Sequence, residues 1–401
     1  MKIGVPREIG AGERRVAIVP ESARQLKQAG AEILVEAGAG AGTFHSDQAY
    51  KDAGASIAAD PASLWSDADV VAKIQPPLPN AALGRHEAEM IREGAALVCM
   101  LRPLSNLDVV RTLVRRRVSS FSMDLIPRTT RAQRMDALSS MATAAGYKAV
   151  LLAAGAAPRF FPMLVTAAGT LPPARVLVVG AGVAGLQSIA TARRLGAVVE
   201  GYDIRPAAAE EVESLGATFV GPKLTAQETQ DRSGYAKELS AEARAKAQEL
   251  LSARIPHADV IITTARVPGL PAPKLISAEA VATMKPGSII VDLAADMGGN
   301  CALTEPGKDT VQHGVTIMGP IRLASTVPAH ASQMYSRNIV AFARLLLQDG
   351  KLVLDFKDDI IRDTCVTYNG EVLHAATRDR IGNGAAAGTP QGESGAARSA
   401  S

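Results

Sequence analysis

The chain alternates between short apolar runs rich in β-branched residues and longer stretches in which apolar residues recur with helical spacing. In the first third, the predicted strands are 1–5, 32–36, 70–74 and 96–101, and the predicted helices are 20–29, 47–53 and 106–116. Strands separated by helices are typical of a parallel α/β sheet. The pattern therefore predicts an α/β domain at the start of the chain.

A second series with the same alternation begins at Arg175. Its predicted strands are 176–179, 198–202, 218–220, 260–263, 288–293 and 315–318, and its predicted helices are 184–195 and 207–215. Because 401 residues exceed what one hydrophobic core usually supports, two α/β domains in tandem are the simplest interpretation. The polar stretch 221–234 is long for a loop inside a compact domain, and the small, polar residues 382–401 are predicted to form a flexible tail.

Composition excludes several classes of protein. Lys and Arg number 43 and Asp and Glu 40, so the charge balance gives no sign of a nucleic-acid partner or of a polybasic membrane patch. Three cysteines, an odd number, favour a reducing compartment over a disulfide framework. The amino terminus lacks the apolar segment of a signal peptide, and prolines interrupt the most apolar stretch, 149–174, so we expect no transmembrane helix.

The strongest motif lies in residues 175–203, RVLVVGAGVAGLQSIATARRLGAVVEGYD. Gly180 permits a tight turn after the strand, Gly182 lets the backbone approach a pyrophosphate, and Gly185 lets helix and strand pack closely. The helix N-terminus then faces the phosphate charge. A lone GxGxxG is weak, but its position between a strand and a helix predicts a dinucleotide site.

The residues after the next predicted strand bear on the choice of dinucleotide. Asp203 favours NAD, because a carboxylate accepts hydrogen bonds from the adenosine ribose and repels a 2′-phosphate. Arg205, two residues further, is a residue type that accommodates a 2′-phosphate, so it leaves NADP as the alternative. We expect Asp203 to dominate.

Three other features carry weaker signals. The glycines of 38–42 also follow a strand, but no helical pattern begins at the third one, so they predict a structural turn. The six histidines show no metal-ligand spacing, and we expect no metal site. Asp292 ends a predicted strand, where a ligand contact and a capping role both stay open.

A polar cluster, RTTRAQRMDALSS at 128–140, follows the apolar run 118–126. The spacing of three from Gln133 to Asp136 and from Asp136 to Ser139 predicts that these side chains share one face of a helix. An amide, a carboxylate and a hydroxyl on one face could fix a carboxamide and a ribose. A solvated helix face with ordinary Arg–Asp pairs explains the same spacing, so the residues alone leave both interpretations open.

Long segments of the chain resemble the soluble first domain of proton-translocating NAD(P) transhydrogenases. They include GVPREIGAGERRVAIVP, RAQRMDALSSMATAAGYKA, TAAGTLPPARVLVVGAGVAGLQ, MKPGSIIVDLAADMGGNC and DTCVTYNGEV, and the resemblance extends from Met1 to about Ile381. Alanine dehydrogenases are more distant relatives with the same plan. The resemblance implies two Rossmann-like α/β domains with parallel sheets and an NAD cleft between them.

The resemblance also implies an activity. This chain would bind NAD(H), a partner subunit would bind NADP(H), and hydride transfer between the two would be coupled to proton movement through membrane-spanning subunits. A single dinucleotide motif and the absence of a predicted membrane span agree with such partners. The family further implies a homodimer in the cytoplasm, held at the inner face of the cytoplasmic membrane by its partner subunits.

Site residues follow from the matching positions of the family. Gln133 and Asp136 would be the catalytic residues, because they would orient the dihydronicotinamide and its ribose. The matched cofactor-binding residues are Arg128, Gln133, Asp136 and Ser139 on the nicotinamide side, Gly180, Gly182 and Val183 at the pyrophosphate, Asp203, Ile204 and Arg205 on the adenosine side, Gly234 and Tyr235 in a loop that closes over NAD, and Ala265 as a backbone contact.

Two other functions stay open, an autonomous amino-acid dehydrogenase and an NAD-binding regulatory module. Arg15 and Lys73 match positions at which alanine dehydrogenases hold a keto acid. The substrate-site histidine of those enzymes has no counterpart in the stretch 99–106, CMLRPLSN. A dehydrogenase without this acid/base group would be hard to run near neutral pH.

The predicted domain boundaries complete the expectations. The first domain would cover 1–140 and be completed by 325–381, with a return crossing through a helix at 331–347. The dinucleotide-binding domain would cover 141–324, and the tail would begin at Gly382.

Overall fold

Two sheets flanked by helices form the framework of the molecule, a computed structural model that describes residues 1–222, 240–266 and 270–386. The first third of the chain forms β1 (Lys2–Val5), α1 (Pro20–Gln28), β2 (Glu32–Val35), α2 (Asp47–Asp52), β3 (Ser56–Ile57), α3 (Pro61–Asp67), β4 (Val70–Ala72), β5 (Pro79–Asn80), β6 (Arg85–His86), α4 (Glu87–Met90), β7 (Ala96–Cys99), α5 (Leu107–Arg115), β8 (Ser119–Ser122) and α6 (Ala137–Ala156).

The second series contains β9 (Leu164–Thr166), β10 (Gly169–Leu171), β11 (Arg175–Val179), α7 (Val183–Arg194), β12 (Val198–Tyr202), α8 (Ala208–Ser214), β13 (Thr218–Val220), α9 (Ala241–Ser252), β14 (Val260–Thr263), α10 (Ala278–Ala282), β15 (Ile289–Asp292), β16 (Asp309–Gln312) and β17 (Val315–Met318). The chain then forms α11 (Pro328–Leu346), β18 (Leu347–Gln348), β19 (Lys351–Leu352), α12 (Asp359–Thr364), β20 (Cys365–Tyr368), β21 (Glu371–Val372) and α13 (Ala375–Ala386).

The first sheet has the strand order β21-β20-β8-β7-β4-β1-β2-β3. Its strands from β8 to β3 are parallel, whereas β20 pairs antiparallel with β8 and β21 antiparallel with β20. The central strands are almost fully buried, as expected where helices cover both faces of a parallel sheet. The sheet thus combines the start and the end of the chain, while the boundary residues 140 and 325 stay predictions.

The second sheet has the order β13-β12-β11-β14-β15-β17-β16, with every pair parallel except the edge pair β16–β17. The order begins 3-2-1-4-5, which is that of a dinucleotide-binding fold. The change of direction lies between β11 and β14, so a ligand is expected beyond the carboxyl ends of these two strands. The predicted fold class, two Rossmann-like α/β domains, is confirmed.

Helix α6 joins the two halves of the molecule by close packing. A Cβ built on Gly146 would lie only 2.2 Å from the carbonyl oxygen of Ala184 in α7, so only glycine permits this approach. The hydroxyl of Ser188 donates to the Gly146 carbonyl at 3.0 Å.

Of the described helices, α6 is the one long and apolar enough to cross a membrane, a test that the core helices of globular proteins also pass.

The end of the described chain differs from expectation at one point. Helix α13 extends to Ala386, so the predicted start of the tail at Gly382 falls inside a helix. Residues 387–401 lie outside the described residues.

Candidate nucleotide-binding site

The glycine turn after β11 is shaped by close contacts on one side and open on the other. Gly180 has φ 98°, and a Cβ there would lie 2.6 Å from Thr264 Oγ1. A Cβ on Gly185 would lie 1.8 Å from the Gly180 carbonyl oxygen, which excludes any other residue. A Cβ on Gly182 would meet no described atom within 4 Å. The predicted roles of tight turn, close packing and open approach thus each have a steric counterpart.

Helix α7 begins at this turn, with Gly182 as its N-cap and Val183 as its first residue. The first backbone N–H groups of a helix have no intrahelical partner, and they carry the positive end of the helix dipole. Val183 is 39% exposed, so the turn is open to an incoming anion. This arrangement fits the pyrophosphate of a dinucleotide.

Asp203, immediately after β12, is buried and bonded to the glycine turn. Its Oδ2 accepts a hydrogen bond from the Ala181 N–H at 2.8 Å. Arg205 donates its backbone N–H and its Nε–H to Oδ1, and its Nη2 to Oδ2, each at 2.9 Å. A carboxylate accepts about four hydrogen bonds, so these contacts fill it. Ile204 is half-buried against the apolar cluster beneath β11 and β12.

Ala265 lies beside the turn, held by a buried asparagine that sequence reasoning missed. Asn300 is fully buried and accepts a hydrogen bond from the Ala265 N–H at 3.0 Å. Its Nδ2 donates to the Ala265 and Pro273 carbonyls, each at 2.9 Å. Asn300 thereby fixes both backbone groups of Ala265. Its position in the run DMGGNC, just past β15, was the only sequence signal that could have indicated it.

Asp292 at the end of β15 binds the loop that follows the strand, and it is not a helix N-cap, since the 3-10 helix at 295–297 has Ala294 in that position. Its fully buried carboxylate accepts hydrogen bonds from the backbone N–H groups of Ala294 and Cys301, both at 3.0 Å, and from Thr304 Oγ1 at 2.7 Å. Asp292 therefore stabilises the loop that carries Asn300.

The polar cluster has a different local structure from the one expected. Gln133–Met135 form a short 3-10 helix, and Asp136 is the N-cap of α6 with ψ 84°, so the prediction that Gln133, Asp136 and Ser139 share one helix face is wrong. Asp136 instead accepts hydrogen bonds from the Ser139 N–H at 2.8 Å and the Ser139 hydroxyl at 2.6 Å. Aspartate favours the N-cap because it satisfies the free N–H groups of the first turn.

The side chains of this turn differ in exposure. Arg128 and Gln133 are exposed, and Asp136 and Ser139 are half-buried. The turn is held from the C-terminal region of the chain by two contacts. Asn338 of α11 donates to the carbonyl of Arg134 at 2.8 Å, and Arg131 makes a bidentate pair with Asp358 at 2.6 and 2.7 Å.

Helix α6 relates the polar turn to the glycine turn. It begins at Ala137 in the polar turn, and nine residues later, about 14 Å along its axis, Gly146 touches the start of α7. Two of the predicted groups, at 128–139 and at 180–185, are thus connected by one rigid element. Gly234 and Tyr235 lie outside the described residues.

Two buried charge clusters are formed by the loops after β1 and β4, the second one together with Glu87 of α4. Arg15 binds Glu13 through Nε at 2.7 Å and Nη2 at 2.6 Å. Burial would raise the pKa of Glu13, but the hydrogen bonds and charge of Arg15, with a hydrogen bond from Gln75, outweigh it and lower the pKa to about 2.

Lys73 is the centre of the second cluster. Its ammonium group lies 3.3 Å from carboxylate oxygens of both Glu8 and Glu87, and no portion of its side chain is exposed. Burial alone would lower the pKa of Lys73, but the two carboxylates raise it, so the lysine is charged. Across residues 1–222, 240–266 and 270–386, no group of three His, Cys, Asp or Glu side chains could hold a metal ion.

Comparison with known proteins identifies the family. The model of the alanine dehydrogenase/PNT N-terminal domain matches residues 4–145, and that of the C-terminal domain matches residues 149–375. An NAD(P) transhydrogenase subunit alpha polypeptide of Rhodospirillum rubrum is 48% identical over 379 residues, covering 94% of this chain and 98% of that protein.

Two further comparisons agree. A solved transhydrogenase structure from Sinorhizobium meliloti superposes with a TM-score of 0.83 at 40% identity, covering 93% of this chain and all of that one. Alanine dehydrogenase of Staphylococcus haemolyticus is 27% identical and covers 95% of this chain and 96% of that protein. The resemblance drawn from the sequence is confirmed: this chain belongs to the alanine dehydrogenase/PNT family, among its NAD(P) transhydrogenase alpha subunits.

Proposed function

We propose that this chain binds NAD(H) and presents it for hydride transfer to NADP(H) on a partner subunit of a proton-translocating transhydrogenase. The observation that carries the proposal is the placement of two groups by α6. The helix links an exposed polar turn, suited to a carboxamide and a ribose, to a glycine turn, suited to a pyrophosphate. A dinucleotide requires both.

The residues divide by the region of the cofactor they would hold. The N–H groups at Gly182 and Val183 would bind the pyrophosphate, and Asp203, flanked by Ile204 and Arg205, would face the adenosine ribose. Ala265 would contribute a backbone group. On the nicotinamide side we propose Arg128, Gln133, Asp136 and Ser139, and for closure over the cofactor Gly234 and Tyr235.

In the proposed chemistry, the side chains mainly position the nicotinamide. A bound nicotinamide supplies the hydride or accepts it. Gln133 and Asp136 would then act as orienting groups, because a hydride passing between two nicotinamides requires no acid or base. Correct geometry supplies much of the rate of such a reaction, and an error of about 1 Å costs on the order of a hundredfold.

Partner subunits belong to the proposal. Among the described residues, the turn at 180–185 is the one glycine motif that continues directly into an α-helix, since 38–42 leads only into a 3-10 turn. NADP(H) and the proton path would therefore belong to other, membrane-spanning subunits, which would hold this chain at the cytoplasmic face of the membrane. We also propose the domain division at 140 and 325.

A homodimer is supported by the hairpin of β9 and β10. Val165 and Leu171 on it are 76% and 44% exposed, and Met163 beside it is 59% exposed. An isolated two-stranded hairpin with exposed apolar side chains is marginal in water, so a second copy of this chain is its proposed cover. Sedimentation should show a dimer that Val165→Glu converts to monomers. Val311→Glu, which alters a valine 66% exposed on β16, should remain dimeric.

The test of the nucleotide assignment is direct. We expect the isolated chain to bind NADH more tightly than NADPH, measured by calorimetry, and to transfer hydride only when mixed with an NADP(H)-binding partner. Equal affinities would contradict the NAD(H) assignment. Transfer to a keto acid by the chain alone would favour the amino-acid dehydrogenase.

Contacts at Arg15 and Lys73 speak against that second candidate. A keto acid needs a cation to hold its carboxylate, whereas Arg15 is paired with Glu13, and Lys73 lies between Glu8 and Glu87. Breaking a buried pair to admit a substrate leaves an uncompensated charge and costs several kcal/mol. A regulatory module without chemistry would be indicated by NADH binding without transfer to any partner.

A further inference from the structure

The backbone of the glycine turn is held at three points. Gly180 N–H donates to the Tyr202 carbonyl at 2.7 Å, and Ala181 N–H donates to Asp203 at 2.8 Å. On the opposite side, Thr264 Oγ1 donates to the Gly180 carbonyl at 3.0 Å. The third contact comes from a strand end 84 residues away, and the motif does not contain it.

Thr264 also sets how closely the turn packs. A Cβ on Gly180 would lie 2.6 Å from the Thr264 hydroxyl, and one on Gly185 would lie 3.3 Å from it. The backbone N–H of Thr264 continues the ladder to β11 by donating to the Val179 carbonyl at 2.8 Å. The hydroxyl is therefore fixed relative to β11, and it can hold the turn in one place.

Asn300 holds the neighbouring peptide in a similar way. Ala265 N would lie 3.3 Å from a Cβ on Gly180, so the two backbones are adjacent. Asn300 accepts from Ala265 N–H and donates to the Ala265 carbonyl, so that one side chain replaces the hydrogen bonds of a neighbouring strand beyond the end of β14. Its burial shields these bonds from water.

We propose that Thr264 and Asn300 are positioning residues of the nucleotide site, Thr264 for the glycine turn and Asn300 for the Ala265 peptide. The inference rests on the proposed function, because it assumes that the turn binds NAD(H). In this proposal neither side chain contacts the cofactor. Each one fixes a backbone segment that would make the contact.

Thr264→Val provides the first test, since valine keeps the shape and removes the hydroxyl. We expect the dissociation constant for NADH to rise about tenfold, the size of effect typical of one lost hydrogen bond. Thr264→Ser, which restores a hydroxyl, should recover most of this loss. The control is Thr364→Val, because the buried Thr364 hydroxyl also donates to a backbone carbonyl, that of Ile360, at 2.6 Å in α12. It should lower the melting temperature without changing NADH affinity.

Asn300→Asp provides the second test, because it keeps an acceptor for Ala265 N–H and loses both donated bonds. We expect the dissociation constant for NADH to rise about tenfold, as for Thr264→Val. Asn106→Asp is its control, since Asn106 donates to the carbonyls of Leu101 and Arg102 in the first half of the molecule. Should Asn300→Asp prevent folding, the Thr264 variants test the proposal.

The outcomes are separable from those of the proposed function. If the unaltered chain binds NADH and Thr264→Val binds it equally well, the positioning role is wrong and the proposed function stands. If Thr364→Val weakens NADH binding as much as Thr264→Val, the effect is general destabilisation and the inference is also overturned. If the unaltered chain binds no NADH, both fail together.

Discussion

Among single residues, Asp203 has the contacts from which we predict the choice between NADH and NADPH. Its acceptor positions are filled by Ala181 and Arg205, so an adenosine ribose has to replace a bond from Arg205. The displaced guanidinium would then lie near the 2′ position, where it would favour a phosphate. We therefore predict that Asp203 and Arg205 have opposite effects on the choice of nucleotide.

We therefore expect Arg205→Leu to raise the ratio of the NADPH to the NADH dissociation constant about tenfold. The reason is that the 2′-phosphate of NADPH would lose the positive charge of Arg205 and would still be repelled by the Asp203 carboxylate. Calorimetry with both nucleotides measures the ratio. Arg254→Leu is the control, since it removes another arginine–carboxylate pair, Arg254–Glu200 at 3.3 Å, whose glutamate lies on β12. An unchanged ratio in Arg205→Leu would contradict this account.

Gln133 carries a second prediction about a single side chain. It is exposed on the turn before α6, so shortening it should disturb no packing. We expect Gln133→Asn to slow hydride transfer by at least tenfold in single-turnover reactions with the NADP(H)-binding partner, while NADH affinity changes little. Gln48→Asn, which shortens a glutamine that contacts Asp52, should transfer at the normal rate. Normal transfer by Gln133→Asn saturated with NADH would remove its orienting role.

The residues that sequence reasoning found and missed differ in how local their contacts are. Gly180, Gly182 and Gly185 lie within six positions of each other, so a short motif describes their geometry. Asn300 accepts a hydrogen bond from Ala265, 35 residues earlier in the chain, and Thr264 donates one to Gly180, 84 residues earlier. Those contacts exist only once parallel strands lie side by side, and no spacing rule within one segment predicts them.

Among the helices and strands, the start of α6 shows why the expected helix face was wrong. Two different arrangements place residues three positions apart. They can be neighbours on one face of a helix, or the first can be the N-cap and the second the third residue of the helix. Asp136 takes the second arrangement with Ser139. The same carboxylate therefore stabilises α6 and lies at the candidate nicotinamide site.

Two substitutions separate these roles. Asp136→Ala should lower the free energy of unfolding in urea by about 1 kcal/mol, because the N-cap is lost, whereas Asp136→Asn should retain most of the stability. If the carboxylate also orients the cofactor, both variants should transfer hydride slowly. Normal transfer by a stable Asp136→Asn would restrict Asp136 to capping. Ser46→Ala, which removes the N-cap of α2, controls for the loss of a cap elsewhere.

Strands and helices with clear periodicity were predicted to within a few residues, as in β1, β2 and α7. The elements that were not predicted include the hairpin of β9 and β10 and strand β20. The hairpin of β9 and β10 lies in a stretch interrupted by prolines and is exposed. It has no buried face, so its sequence does not alternate between apolar and polar residues. Strand β20 is short and pairs with β8 about 250 residues away, so only the tertiary fold explains its place.

Across the molecule as a whole, the loop after β1 is tied to the segment that leads back into the first half of the chain. Ser325 accepts a hydrogen bond from the Arg14 N–H at 2.7 Å and its hydroxyl lies 2.8 Å from Glu13 Oε1, while Arg322 donates to the Ala11 carbonyl. Arg15 extends the same network to Met141 of α6. The Glu13–Arg15 pair thus joins both chain segments that pass between the two sheets.

This network predicts a dependence of stability on pH. The pKa of Glu13 falls from an ordinary value of 4.5 to about 2 on folding, so its contribution is complete above pH 4.5 and is lost as the pH falls towards 2. At neutral pH, Glu13→Gln should lower the free energy of unfolding by about 3 kcal/mol, and the difference from the unaltered chain should shrink as the solution is acidified. Urea unfolding between pH 3 and 7 measures it. Glu305→Gln, which removes an exposed pair with Lys308, should change stability by less than about 1 kcal/mol at every pH. A difference for Glu13→Gln that stays constant across this range would show that the carboxylate is not held by Arg15.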